Sequence, residues 1–351
     1  QLALLRRTGA ERRAALEGPG EEPGGGRAGR LAARLALELA LALLVAGAFA
    51  ELGSRRKVFD SGDDKANYVE NQLIRPLDHP SAGQWAVRIR EMLADGGVIG
   101  VWEPVSLAFK LLLVEAFGLE CRVFTGAAVV LHAASCALAV ELCLRLRRLL
   151  DGSRRGARVG LLHAWSAALL VGVHPLRVEP LAWASGLPFE ISTALALLAA
   201  LCHVAHRSGP GGGPPRLLAR PLGPWRLASA VLLLLACNAK AAALGVVGAL
   251  GALDLVLLWE LHGGGGWRAL AGRALALAAD DGLLAAAAVA SARGAFLASS
   301  GGDPGCRFAF TLWQRWLRAS YMCVLYAVQQ VWPADLCVLH AVPLQDIDGG
   351  T

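Results

Sequence analysis

The sequence predicts an all-α, polytopic helical membrane protein with about seven to eight spans. Three observations carry that reading. Of 351 residues, 55% are hydrophobic and only 18% are charged, which is more apolar than a soluble domain of this size sustains. The apolar residues fall in runs long enough to cross a bilayer, where 18 or more in succession read as a spanning helix. The charges fall in blocks between those runs, and arginine dominates alternate blocks. Arginine-rich loops stay in the cytosol, so the alternation also predicts a topology.

Residues 1–30 carry Arg6, Arg7, Arg12, Arg13, Arg27 and Arg30 around a Gly/Pro/Glu-rich stretch. This predicts a flexible cytosolic tail. Residues 31–351 then form the transmembrane domain. Leu31 to Ala50 is the first span, or an uncleaved signal anchor. Arg34 and Glu38 lie one helical turn apart and can pair, which lowers the cost of entry. Residues 51–122 form a first lumenal loop, with an amphipathic helix over Gln84 to Ala94. Val101 to Leu119 is apolar but interrupted by Lys110 and Glu115, so it reads as a helix lying at the membrane surface or against other spans, not crossing.

Phe124 to Leu144 is the second span. Arg145, Arg147, Arg148, Arg154, Arg155 and Arg158 follow and mark a cytosolic loop. Val159 to Val173 is the third span, and His174-Pro175 ends it, because proline has no backbone donor. Leu187 to His206 returns to the cytosol, where Arg207 to Arg226 forms a Gly/Pro-containing loop. Leu227 to Leu261 is too long for one span and is broken by Asn238 and Lys240, which predicts two short spans meeting at a turn. Leu275 to Ala295 is a weaker seventh span with Asp280 and Asp281 inside it. Leu312 to Val331 either crosses or lies at the far surface.

This arrangement puts three polar pieces on the non-cytosolic face: Asp60 to Asn71, His174 to Glu179, and Asn238 to Lys240. The cytosolic loops look arginine-rich and otherwise featureless. The net charge of +6 follows from helix ends, and no aromatic-basic pattern points to nucleic acid. Of eight cysteines, six sit in apolar stretches as small apolar residues. Cys121 and Cys306 lie on the same side and could pair. No CxxC spacing points to zinc, and no metal or cofactor is predicted. His132, His163 and His203 lie within spans and read as hydrogen-bonded packing residues.

Several stretches resemble one family. HPLRVEPLAW followed by ExSTALALLA is similar to the HPLRVESVAW...DVLSTFFFLLALLA signature of the transmembrane and tetratricopeptide-repeat (TMTC) family. FDSGDDKANYVENQLIR resembles its first-loop motif, VWEPVSLAFKLLLVEAFGL its W-x-P-L-T motif, CNAKAAALGVVGALGALDLVLLW its L-S-K-P motif, and SYMCVLYAVQQVWPADLCVLHAVPL its Y-x-x-Y-L...W-P motif. The matches keep their order over Phe59 to Leu344. The resemblance implies a GT-C glycosyltransferase fold in the endoplasmic reticulum membrane. It implies a dolichyl-phosphate mannose or similar lipid-phosphate sugar as donor, and Ser/Thr hydroxyls of secretory-pathway proteins as acceptors on the lumenal face. The family's tetratricopeptide repeats and last spans are absent, so the resemblance implies the N-terminal part of a longer protein. The sequence departs from the family at Glu103, where the motif has histidine, at Ala241, where it has proline, and around Glu120 and Cys121, where an asparagine is lost.

Transfer from such a donor needs a base near the acceptor hydroxyl and cations near the departing phosphate. Asp63 and Asp64 are the candidate bases, with the alternative that they form a solvated turn or helix cap. His174, Arg177, Glu179 and Lys240 are the candidate donor-binding residues. Arg177 offers a planar fork to phosphate, or pairs with Glu179. Lys240 offers a point charge, or snorkels to the interface. Glu103 and Glu190 are candidates for acceptor contact or support. The rival readings are a non-catalytic membrane scaffold and a transporter, the latter disfavoured because no inverted repeat recurs.

Overall fold

Apolar sequence in a membrane must satisfy its backbone internally, and helices do so. In the computed structural model the described residues are almost wholly helical. The structure describes residues 25–55, 59, 62–77, 81–95, 97–98, 101–151, 157–208, 223–262, 267–300 and 311–333. The tail up to residue 24, parts of the loops with Arg154, Arg155, Arg216 and Arg220, Asp60, Cys306 and Cys337 lie outside the described residues.

The helices are α1 (Gly25–Arg55), α2 (Ala82–Asp95), α3 (Pro104–Phe117), α4 (Cys121–Asp151), α5 (Ala157–Gly172), α6 (Val178–Ala182) and α7 (Leu187–Arg207). They continue as α8 (Pro224–Ala239), α9 (Leu244–His262), α10 (Trp267–Asp280), α11 (Gly282–Ser300) and α12 (Leu312–Val331). One two-stranded antiparallel hairpin, Gly97–Val98 with Val101–Trp102, precedes α3. The sequence had merged its second strand into the helix. Local chemistry sets several boundaries. Pro104, Pro188 and Pro224 sit in the first turns of α3, α7 and α8, where a missing N–H costs nothing. Gly118, at φ 79°, ends α3, and its amide donates to the Val114 carbonyl at 2.8 Å. Thr311 and Gln314 form a capping box on α12.

Four helical stretches are long and apolar enough to cross a membrane: Leu31–Leu52, Cys121–Leu150, Ala184–Arg207 and Ala241–Trp259. A fifth is formed if Gly160–Gly172 and Pro175–Ala182, which meet at a 56° bend, count as one span. Pro224–Ala239 and Gly282–Gly294 are shorter apolar helices. Two expectations need correction. Leu275 to Ala295 is not one helix: α10 ends at Asp280 and α11 begins at Gly282, with a turn at Asp281, whose carboxylate bonds the buried Arg207 and Arg226. The predicted tail ends too late as well, since α1 already begins at Gly25.

Packing fixes which ends meet. Phe49 of α1 packs edge-on against His132 of α4, and Arg34 pairs with Glu141, so these helices run antiparallel. Arg34 also bonds Glu38 at 3.0 Å, the one-turn pair the spacing predicts. His132 reaches Glu190 while Leu149 packs with Val204, so α4 and α7 run parallel. Ser192 bonds the Ala236 carbonyl and His203 meets Arg226, so α8 is antiparallel to α7. The bundle therefore has an arginine-rich end, with Arg34, Arg145, Arg147, Arg148, Arg207 and Arg226, and an end poorer in arginine, called arginine-poor, which carries Arg75, Arg88, Arg122 and Arg177 and is reached by residues 62–77, 101–110, 183–190 and 238–243. One apolar cluster joins α1, α3, α4 and α5 with the start of α7, and a second joins α7, α8, α9 and α11.

Candidate functional site at the arginine-poor end

The segment after α1 folds into a helical turn over Gly62–Asp64 continued by Lys65–Val69. Asp63 and Asp64 part there: Asp63 is exposed and Asp64 is fully buried. The Asp64 carboxylate accepts the Ser185 amide at 3.0 Å and the Ser185 hydroxyl at 2.7 Å. Asn67 donates to the same hydroxyl at 3.0 Å, and Tyr68 donates to the Ala184 carbonyl at 2.5 Å. The loop after α1 is thus sewn to the turn before α7. That turn needs Gly186, where a Cβ would stand 2.1 Å from the Pro180 carbonyl oxygen.

Tyr68 is buried between Phe59 and Phe124, with ring centroids 4.9 and 4.6 Å away. Burial holds its hydroxyl well above the usual tyrosine range, and Asp64 and Glu103 push the same way. The Lys110 ammonium lies over the Tyr68 ring, 4.7 Å from its centroid. Lys110 is 1% exposed. Burial lowers its amine to about 8; Glu103 draws it back up, Lys240 adds to the lowering, and Asp64 opposes it.

Glu103 precedes α3 and is bonded by the Lys240 ammonium. Lys240 also lies 4.5 Å from the centroid of the Phe189 ring. Ser106 ties the same corner by donating to the Ala239 carbonyl at 2.8 Å. Glu103 and Lys240, 137 positions apart in the chain, therefore meet at this corner.

The other nominated residues lie apart from this cluster's bonds. Glu190 is buried against His132 Nδ1 at 3.2 Å, and His132 Nε2 faces the Gly172 carbonyl at 2.9 Å. His174 caps its own turn, accepting from the Leu176 amide at 3.2 Å. Arg177 does not pair with Glu179: its Nη2 donates to Gln330 at 3.3 Å, and its Nε is buried without a hydrogen bond. Glu179 is exposed. Arg177 and Lys240 have different partners, so no shared bond joins the two cations expected to hold one phosphate. Cys121 is buried at the start of α4, and Cys306, with which it could pair, lies outside the described residues.

Sequence reasoning missed Ser185, Asn67, Tyr68 and Lys110. Lys110 had a signal, a lone cation in LAFKLLL, but it was read only as a reason for the helix not to cross.

The arginine-rich end is not featureless either. Arg207 and Arg226 are fully buried. Arg207 donates to Asp254 at 2.8 and 2.6 Å and to Asp281 at 2.9 Å. His203 meets Asp254 and Arg226, each at 3.0 Å, and Arg226 also bonds Asp281. His203, Asp254 and Asp281 have ligand atoms within 4.8 Å of one another, but the two guanidinium groups already occupy both carboxylates. The cluster is an ion-pair network joining α7, α8, α9 and the turn before α11.

Comparison with protein family models, with curated proteins and with solved structures finds no match to this chain.

Proposed function

We propose that this chain is a membrane glycosyltransferase. It moves a sugar, mannose by the family resemblance, from a dolichyl- or polyprenyl-phosphate donor to Ser/Thr hydroxyls of proteins. It works on the lumenal face of the endoplasmic reticulum, with its N-terminus in the cytosol. The observation that carries this reading is the convergence at the arginine-poor end. Buried Asp64 locks the loop after α1 onto the turn at Ser185. The neighbouring Asp63 is left exposed, one residue from a cluster that also holds Glu103, Lys110 and Lys240.

The division of labour follows from burial. Asp64 is engaged by two Ser185 donors and acts as a positioning residue. Asp63 is open to an incoming hydroxyl and is the base. It takes the proton as the hydroxyl oxygen bonds the anomeric carbon. The bond from that carbon to the phosphate oxygen breaks, and the phosphate leaves with the electron pair. Lysines at the same end offset its charge. Removing a general base typically costs about 10²- to 10⁴-fold in rate.

The test is a sugar-transfer assay on the full-length protein in lipid with Asp63→Asn, Asp64→Asn and the double variant. Asp63→Asn should lose transfer with unfolding unchanged. Asp64→Asn should lose stability together with transfer. Full activity in the double variant would exclude this site, and no transfer by the unmutated protein would favour a non-catalytic membrane scaffold.

A further inference from the structure

The end of α5 poses a backbone problem that a side chain from another helix solves. Gly172 closes the helix, and Pro175 has no N–H to carry it further. In a continuing helix the Gly172 carbonyl accepts from the Leu176 amide, four residues on. That amide instead donates to His174 Nδ1 at 3.2 Å. The carbonyl thereby loses its helical partner at a 56° bend between apolar helices, where an unmet acceptor is costly. His132 Nε2, from the middle of α4, meets it at 2.9 Å. Glycine allows this close approach of α5 to α4 and α1: a Cβ at Gly172 would stand 2.8 Å from Cys136 Sγ and 3.0 Å from a Val45 methyl.

The contact fixes one hydrogen. A carbonyl accepts and never donates, so Nε2 carries a proton. The other ring nitrogen, Nδ1, lies 3.2 Å from Glu190 Oε2. With an ionised Glu190 and a neutral imidazole, two bare acceptors would face each other there. A hydrogen bond needs one more proton, on Nδ1 or on the carboxyl. Both placements leave the pair without net charge, whereas the pair without that proton is an uncompensated anion. His132 is 6% exposed and Glu190 3%, within helices long enough to cross a membrane. A net charge in that place is expensive, and a neutral pair far less so. Bonding geometry and burial ask for the same proton.

We infer that His132 and Glu190 form a proton-binding site, and that its proton closes the broken span. Loaded, the site joins α4, the end of α5 and the first turn of α7. Emptied, it sets a carboxylate against the Nδ1 lone pair and weakens the hold on Gly172. The turn bearing His174 and Arg177 starts beside that carbonyl, so occupancy of the site sets how firmly the turn is held. The titratable and charged neighbours are Cys136, one turn along α4, and Arg177 of the turn itself; Cys136 feels both Glu190 and Arg177. The inference does not depend on the transferase reading.

The first experiment looks for the proton in the full chain in lipid nanodiscs at neutral pH. Solid-state ¹⁵N NMR of histidine-labelled protein reads both ring nitrogens, with His132→Gln identifying the resonances. Infrared difference spectra between the unmutated protein and Glu190→Gln read the carboxyl. A protonated Nδ1, or a carboxylic acid band that Glu190→Gln removes, is expected. A bare Nδ1 together with an ionised Glu190 overturns the site.

The second experiment follows SDS unfolding in mixed micelles against pH. Glutamine at 190 donates to a neutral Nδ1, so the folded variant needs no extra proton. The folded unmutated protein therefore binds one proton more than the folded variant, while the two unfolded chains match from mildly acid pH upward. The folding equilibrium of the unmutated protein, relative to Glu190→Gln, should fall by about tenfold per pH unit until the site empties. Lys110 and Tyr68 titrate in both proteins and cancel. Should Glu190→Gln not fold, His132→Gln takes its place above neutral pH, since its amide keeps a donor for Gly172 and removes the titrating ring. A ratio that stays flat across the range overturns the inference.

Discussion

Replacing Arg207 with methionine tests whether the network at the arginine-rich end is held together by its charges or merely tolerates them. Methionine keeps most of the aliphatic stem and removes the guanidinium. Its hydrogen bonds to Asp254, at 2.8 and 2.6 Å, and to Asp281, at 2.9 Å, disappear. Breaking a buried pair by removing one partner costs about 3–5 kcal/mol, because the other charge stays buried. Here Asp254 keeps His203 and Asp281 keeps Arg226, so the loss should sit near the low end, about 3 kcal/mol. Removing the abandoned acid as well should undo most of it. Arg207→Met with Asp254→Leu should fall within about 1 kcal/mol of the unmutated protein, since apolar replacements of buried pairs are often neutral. The assay is reversible unfolding in mixed micelles of rising SDS fraction, read by tryptophan fluorescence. A single-variant loss below about 1 kcal/mol would show that Asp254 is not truly dependent on Arg207. A double variant less stable than the single would show the charges to be net stabilising, and would refute the desolvation reasoning.

Two further outcomes follow from the arginine-poor end. The Lys110 amine is lowered from 10.5 to about 8 in the folded chain, so between those values the unfolded chain binds the extra proton and stability rises with pH. From pH 8 to 10 the gain should be roughly 2 kcal/mol, and Lys110→Met should abolish it. Above pH 10 the raised Tyr68 hydroxyl works in the opposite sense, because the unfolded tyrosine ionises first; superimposable pH profiles for the two proteins would exclude the buried charge. Topology is checked with engineered N-glycosylation acceptors. Sites beside Ser61 and His174 should be modified and one beside Arg154 should not, and the reverse pattern would invert the molecule.

Apolar runs were enough to locate the helices, because hydrophobic length is a local property that neighbouring residues alone decide. The early span from Leu31, the helix through Phe124 to Leu144, and the pair meeting near Lys240 were all legible for that reason. Partners were not legible. Asp64 and Ser185 are 121 positions apart, and Lys240 and Glu103 are 137 apart; no periodicity encodes such a meeting. The seventh span failed for the same reason. Asp281 looked like a flaw inside one helix, whereas it is the corner between two, bonded to arginines from α7 and α8. Arg207 and Arg226 looked like loop charges because density of arginine reports a side of the membrane and not burial. Within the candidate site, the acidic pair and the lysine were visible as polar interruptions. The aromatic floor under Lys110 was not, since Phe59, Tyr68 and Phe124 read as ordinary apolar residues.

Helix α7 begins one residue after Gly186 and ends at Arg207, so it joins the Ser185 corner to the buried arginine network. Its 21 residues measure about 31 Å at 1.5 Å each, close to the roughly 30 Å of a hydrocarbon core. Both of its ends are pinned by polar contacts, so the helix works as a gauge block. A bilayer of different thickness is met by tilting of the whole bundle or by deformation of the lipid, while the spacing between the two polar ends stays constant. Whatever arrives at the Asp64 corner is therefore met at a depth referenced to the opposite membrane surface.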